Sequence, residues 1–261
     1  MSKVFERDAT VQQWDDDYYH PVSIKLYDWA VQNMLQQMQL DSNATILDAG
    51  CGPGVHSIRV AQAGYRVNAI DISQTMLAEA NRRAIAAGVA DRITFSQQDL
   101  TRLTFPDNSI KYAFSWGVII HIPDAEQALS ELARIIMPGG KLALYVTNKS
   151  SIDYKLEGIA RALFRKPLPT MKRNGLGDGI TYLFKDQPLW LWRFSTKGLV
   201  YNLRLHGFKL SYRKIGEFSE IQRRIHGFPR KVLLHLNNLA YRTSIPASLA
   251  VTQLLIFEKS P

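Results

Sequence analysis

The chain predicts an α/β fold built on an open, mostly parallel sheet with helices on both faces. Two observations lead there. Between residues 44 and 147, apolar strand-like runs alternate with amphipathic helix-like runs, the pattern of repeated βαβ units. Three successive strand-like runs also end on or just before an aspartate, Asp48, Asp71 and Asp99. In a parallel sheet those strand ends share one edge, the edge where ligands bind.

The elements follow in order. Residues 21–40 carry apolar side chains three and four apart, an amphipathic helix. ATILDA begins the sheet, residues 54–64 form a helix closed by Gly64, and YRVNAID is the second strand. Ser73 caps the helix over 74–88, which ends at Gly88. RITFSQQ and IKYAFSW are strands three and four, separated by the turn PDNS. Asp124 and Gln127 form a capping box for the next helix, and Pro138, Gly139 and Gly140 stop it before strand KLALYVT. Residues 149–194 are an insertion with an irregular centre, RKPLPTMKRNGLGDG, and an aromatic exit, YLFKDQPLWLWRF. A helix over 195–205 and strand GFKLSYRKI return to the core, residues 214–248 form a second insertion, and SLAVTQLLIF supplies the last strand. The organisation expected is a single domain over 1–261 with a core at 44–148.

Composition narrows the function. A length of 261 residues with 46% hydrophobic content supports one large core. The first residues, MSKVFERDATVQQWDDD, are polar and acidic, unlike a signal or transit peptide, so a soluble cytoplasmic protein is expected. Cys51 is the only cysteine, which excludes an intramolecular disulfide and a CxxC zinc site, and no HExxH spacing occurs, so no metal site is expected. The net charge of +9 is unevenly spread: residues 149–231 hold 18 Lys and Arg against 6 Asp and Glu, while the rest holds 14 against 17. Basicity confined to one third of the chain points to an anionic partner for that region.

The most informative stretch is TILDAGCGPGVHS, residues 45–57. A buried strand ending in Asp48 runs into Gly50, Gly52 and Gly54, whose missing side chains let backbone turn tightly and approach a ligand. The spacing is GxGxG, and Val55 stands where a dinucleotide fingerprint would have its last glycine, which argues against NAD. Asp71 follows the glycines by about 20 residues at the end of the second strand, where a carboxylate accepts both ribose hydroxyl protons. A nucleoside cofactor suits that pair.

At these residues the chain resembles the class I S-adenosylmethionine (SAM) dependent methyltransferases. The resemblance rests on ILDAGCGPG, VNAIDIS, QQDLTRLTFPDNSIKYAFSWGVIIHIPD and LARIIMPGGKLALY, and covers residues 44–148. It implies a Rossmann-like, seven-stranded, mostly parallel sheet whose last two strands are antiparallel, with C-terminal lid insertions at 149–194 and 214–248. It also implies that Asp48, Gly50, Gly52 and Gly54 surround the amino acid part of SAM, that Asp71 takes the ribose, and that Asp99 and Leu100 contact the adenine, with Ile72 and Met76 packing on it. Trp116, at the end of strand four, falls on the same ligand side. Trp14, Tyr18 and Tyr19 lie where relatives place a covering segment, and His121 faces the methyl-transfer position as the general-base candidate.

The expected acceptor is a small, partly hydrophobic and anionic or amphipathic molecule of secondary metabolism, methylated on oxygen in preference to nitrogen or carbon. Phe184, Trp190, Trp192 and Phe194 are candidates for its apolar cover, beside cations suited to a carboxylate, phosphate or lipid headgroup. Contact with a membrane surface fits the same features. RNA or DNA methylation is the alternative that basic and aromatic residues suggest, but strand four ends in SWGVIIH and lacks an Asn/Asp-Pro-Pro-aromatic motif. A non-catalytic SAM-binding protein is the third reading. The sequence leaves the oligomeric state open.

Overall fold

The computed structural model describes residues 21–165, 171–184, 187–223, 225–243 and 245–261, with side chains for all of these except 183, 184 and 187. Tyr18 and Tyr19, with Trp14, lie outside the described residues, as does the side chain of Phe184.

Helix α1 (Pro21–Met38) precedes β1 (Thr45–Ala49), α2 (Val55–Gln62), β2 (Arg66–Asp71), α3 (Gln74–Ala86), β3 (Ile93–Gln97), β4 (Ile110–Trp116), α4 (Ala125–Ile135) and β5 (Ile136–Thr147). Then come α5 (Ile152–Leu163), β6 (Met171–Asn174), β7 (Gly177–Phe184), β8 (Gln187–Phe194), α6 (Thr196–Leu205), β9 (Phe208–Ile215), α7 (Phe228–Arg242) and β10 (Thr252–Lys259). The seven-stranded sheet has the order β3-β2-β1-β4-β5-β10-β9. Strands β1 to β5 pair in parallel, and β10 runs antiparallel to both β5 and β9.

Alternation along β1 explains why the sheet is buried on both faces. Ile46 joins Tyr27, Met34 and Met38 of α1 in one apolar layer, while Leu47 joins Leu129 and Leu132 of α4 in the other. Both caps expected at helix starts are present: Ser73 Oγ accepts from Met76 N at 3.3 Å, and an Asp124 carboxyl oxygen accepts from Gln127 N at 3.2 Å. Gln127 does not complete a capping box, since its Nε2 donates to the Thr101 carbonyl.

Two regions depart from the sequence expectation. β5 begins at Ile136, directly after α4, and Pro138, Gly139 and Gly140 sit inside it. Its register against β4 shifts there, from Ile110↔Ile136 to Tyr112↔Lys141, so these residues form an irregularity in the strand instead of a stop before it. The supposedly irregular centre of the first insertion contains β6 and the start of β7, which form a three-stranded antiparallel sheet with β8. Glycines hid it. A Cβ on Gly179 would stand 2.1 Å from the Trp190 ring, so the strand keeps glycine because an indole lies across it.

Strand order reverses around β1, with β2 on one side and β4 on the other. That switch opens a crevice beyond the carboxyl ends of β1 and β4.

Candidate active site

A cavity occupies that crevice. Its cofactor-side wall includes Asp48, Gly50, Cys51, Gly52, Pro53, Asp71 and Ile72, from β1, β2 and the loops that follow them, and Met76 from the first turn of α3. Trp116 ends β4, Val118, Ile120 and His121 follow it, and Tyr145, Val146 and Thr147 end β5. Glu217, Glu220, Arg223 and Thr252 close the opposite side.

The glycine loop is held open by strong contacts. Gly52 N donates to Asp71 Oδ2 at 2.9 Å, and Ser73 N donates to Asp71 Oδ1 at 2.9 Å. One carboxylate thus ties the loop after β1 to the turn after β2, and each oxygen keeps a further acceptor site for a hydroxyl. Gly52 has φ +51° with nothing within 4 Å of where a Cβ would be, whereas a Cβ on Gly50 would strike Val118 at 2.4 Å. Gly52 leaves room and Gly50 permits packing.

Buried charge sets the electrostatics. Asp48 is 1% exposed, accepts from Ser57 Oγ at 2.6 Å, and is pushed up to about 7 by its burial. Burial also raises Asp71, against the pull of its backbone donors. His121 Nδ1 lies 2.8 Å from the Trp190 carbonyl, which can only accept, so Nδ1 carries the proton and Nε2 the lone pair. Burial lowers this imidazole to about 4, well below the near-neutral value expected of a general base.

An aromatic stack crosses the cavity floor. The rings of His56 and Trp116 lie 4.4 Å apart and those of Trp116 and Tyr145 4.1 Å apart, the latter nearly parallel at 6°. Tyr145 OH accepts from Thr252 Oγ1 at 2.8 Å and from Glu217 N at 3.1 Å. Glu217, 5% exposed, receives Arg223 Nη2 at 2.7 Å and Gln222 Nε2 at 3.2 Å on its two carboxylate oxygens. Arg223 also reaches Glu220 at 3.3 Å.

Seven of the cofactor-side candidates and His121 therefore share one cavity: Asp48, Gly50, Gly52, Asp71, Ile72, Met76 and Trp116. Five others sit elsewhere. Gly54 caps α2 with φ +81°, and a Cβ there would meet Ala80 at 2.9 Å. Asp99 spends one carboxyl oxygen on Thr101 N at 2.9 Å and Thr101 Oγ1 at 2.8 Å, and Leu100 is buried in the core. Trp190 and Trp192 do not line the cavity. Trp192, 1% exposed, donates its Nε1 proton to the Ile122 carbonyl at 2.8 Å, and with Phe194 it belongs to the core; Trp190 contributes its carbonyl to His121. Glu217, Glu220, Arg223 and Tyr145 escaped the sequence reading, and only the local charge excess hinted at Arg223.

Comparison with known proteins agrees with this geometry. Residues 46–140 match the family described as a methyltransferase domain. The 27-O-demethylrifamycin SV methyltransferase of Amycolatopsis mediterranei (strain S699) is 34% identical over 134 residues, 50% of this chain and 48% of that protein. Sterol 24-C-methyltransferase ERG6B of Gibberella zeae is 29% identical over 141 residues, 54% of this chain and 35% of its own length. The chain thus spans about half the length, or less, of these curated relatives. Among solved structures, the [4+2]-cyclase SpnF superposes with a TM-score of 0.60 at 20% identity, covering 90% of this chain and 81% of that one, a likeness of fold. The sheet order, glycine loop and family match together define the class, a Rossmann-like methyltransferase fold. Residues 46–140 thus form a methyltransferase domain similar to those of the class I SAM-dependent enzymes, whose methyl donor is S-adenosylmethionine.

The residues present fit that cofactor. Beside the open cradle at Gly52, the ring nitrogens His56 Nδ1 and Trp116 Nε1 are buried at the cavity with no hydrogen-bond partner among the described residues. Buried polar atoms in that state are costly, and polar ligand groups would satisfy them.

Proposed function

We propose that the protein is a SAM-dependent methyltransferase acting on a small, partly hydrophobic acceptor, with oxygen the favoured methyl acceptor. One observation carries the reading: the cofactor wall and a mixed apolar and polar wall, ending at His121 and Arg223, face the same cavity. The relatives named above act on a rifamycin oxygen and a sterol carbon by their names, which supports a bulky organic acceptor. The charge of the wall refines the expectation from composition. On the acceptor wall the carboxylates are Glu217 and Glu220, and Arg223, its one guanidinium among the described residues, is already committed to both. Such a wall favours a neutral hydroxylated acceptor over an anionic one.

In mechanism, Asp71 and the glycine loop would hold the ribose and amino acid ends of the cofactor, and Asp48 would offset its positive charge. When bound, SAM supplies a methyl group on an electrophilic sulfonium. The chain's task is orientation: fixing an acceptor in line contributes on the order of 7–11 kcal/mol through proximity. Val118, Ile120 and Val146 exclude water from the acceptor. His121, neutral at physiological pH and lining the cavity, is the general-base candidate for an acceptor hydroxyl, a role worth roughly 10²- to 10⁴-fold.

Incubation with labelled SAM and a panel of hydroxylated apolar molecules, with RNA alongside, tests the proposal. Label on a small-molecule oxygen supports it. Tight SAM binding with no transfer to any acceptor would establish the non-catalytic reading, and label on RNA the nucleic-acid one.

A further inference from the structure

We infer that α7, with the outer face of α5, forms a docking surface for an anionic lipid bilayer beside the acceptor side of the cavity. On α7 the side chains of Phe228, Val232, Leu236 and Leu239 follow at spacings of four, four and three, which places them on one helical stripe, and each is 41–78% exposed. The opposite side of the same helix buries Leu234, Ala240 and Tyr241, so folding is already satisfied without the outer stripe.

Charge identifies the occupant. Lys231 and Arg242, both exposed, lie along one border of the apolar stripe, and α7 contains no Asp or Glu. An apolar stripe edged by cations is the pattern of a helix lying in a membrane interface, where long basic side chains reach the headgroups while the stripe enters the acyl boundary. A symmetric pairing of two copies through this stripe would bring like charges together with no acid on the helix to offset them. A second helix repeats the pattern. On α5 and the turn after it, Leu156, Ile159, Leu163 and Phe164 are exposed, with Lys155 and Arg165 exposed among them. Among the other described residues, Ile85 stands alone on α3, Ile221 lies on the loop after β9, and Tyr201 and Leu205 make only a pair on α6.

Both helices are tied to the loop that closes the cavity. Asp153 of α5 accepts from Glu220 N at 2.8 Å and Ser219 Oγ at 3.0 Å, while Asn237 of α7 accepts from Ser219 N at 3.0 Å. Glu217, Glu220 and Arg223 of the same loop line the cavity. A bilayer on these helices would sit against the elements that border the acceptor, an arrangement suited to a lipid-dissolved substrate.

Co-sedimentation of the full chain with vesicles tests this independently of catalysis. The probes are pure phosphatidylcholine vesicles and phosphatidylcholine vesicles carrying phosphatidylglycerol as a minor component, each at low and high salt. Binding is expected to the anionic vesicles only, weakening as salt rises. Leu236→Glu with Leu239→Glu should reduce it by at least about tenfold, Lys231→Glu with Arg242→Glu should reduce it at low salt, and Ile85→Glu should leave it unchanged. SAM affinity and the thermal transition, measured on each variant, show that the fold and cofactor site survive. Three results would overturn the inference: no vesicle binding by the folded wild type, equal binding to both compositions, or a concentration-dependent dimer that Leu236→Glu abolishes. RNA binding that displaces the vesicles would assign the cations to nucleic acid instead.

Discussion

The two sides of the cavity are built in different ways. The cofactor side uses short local motifs: a carboxylate at the end of β2 reaches a glycine amide 19 residues earlier and a serine amide two residues later. The acceptor side is assembled from distant pieces. His121 meets the Trp190 carbonyl across 69 residues, and Glu217 N meets Tyr145 OH across 72. Local motifs suit a ligand common to a whole family. A wall made of long-range contacts can change with each acceptor while the glycine loop stays as it is.

Replacing residues on one side should therefore leave the other working, and the largest effect belongs to the scaffold behind the acceptor side. Trp192→Ala empties a fully buried indole site and orphans the Ile122 carbonyl, so a loss of about 3–5 kcal/mol in stability is expected. Thermal or denaturant unfolding measures it; a stable variant with only a raised acceptor KM would return Trp192 to the cavity wall. Next comes Asp71→Ala, which strands two backbone donors and removes the ribose acceptor. SAM affinity should fall on the order of 10²- to 10³-fold by calorimetry, with any residual turnover keeping its acceptor KM.

His121→Ala should lower kcat by about 10²-fold with SAM affinity nearly unchanged. Because burial holds His121 at about 4, it is neutral from acid to physiological pH, and no step from it should appear in kcat between pH 6 and 8. Such a step, lost in the variant, would show that the imidazole titrates near neutrality after all. The smallest effect is the pH dependence of cofactor binding. The folded, unliganded Asp48 titrates at about 7, above its ordinary 3.8, so between those values the folded state retains a proton that the unfolded chain releases, and stability falls as pH rises through that window. A cationic ligand favours the ionised form, so SAM affinity should rise with pH by up to about tenfold per unit below 7 and level off above it. Asp48→Asn should flatten that profile; an unchanged slope would assign the proton to another group.

Most of the fold was legible because its signals are local. Alternation gave β1 to β4, Ser73 and Asp124 marked helix starts, and Asp71 could be read against the glycines by spacing alone. The three-stranded sheet of β6 to β8 was not legible, because Gly175, Gly177 and Gly179 read as loop when one of them is there to admit an indole. Trp192 shows the limit for site residues. A tryptophan beside a basic residue in an insertion has the composition of a ligand cover, and only the contact of its Nε1 with Ile122, 70 residues away, makes it core. Glu217 and Arg223 carry no motif at all: they pair within one loop, and their place at the cavity exists only once Glu217 N meets Tyr145 OH 72 residues away.

Calorimetric titration of SAM into the wild type, Asp71→Ala and Arg223→Ala tests the division of the cavity most directly. Tight binding to the wild type, loss of about 10²-fold or more in Asp71→Ala, and affinity close to wild type in Arg223→Ala, whose acceptor KM rises, is the result expected. Equal affinities in all three proteins, or a loss in Arg223→Ala as large as in Asp71→Ala, would contradict it.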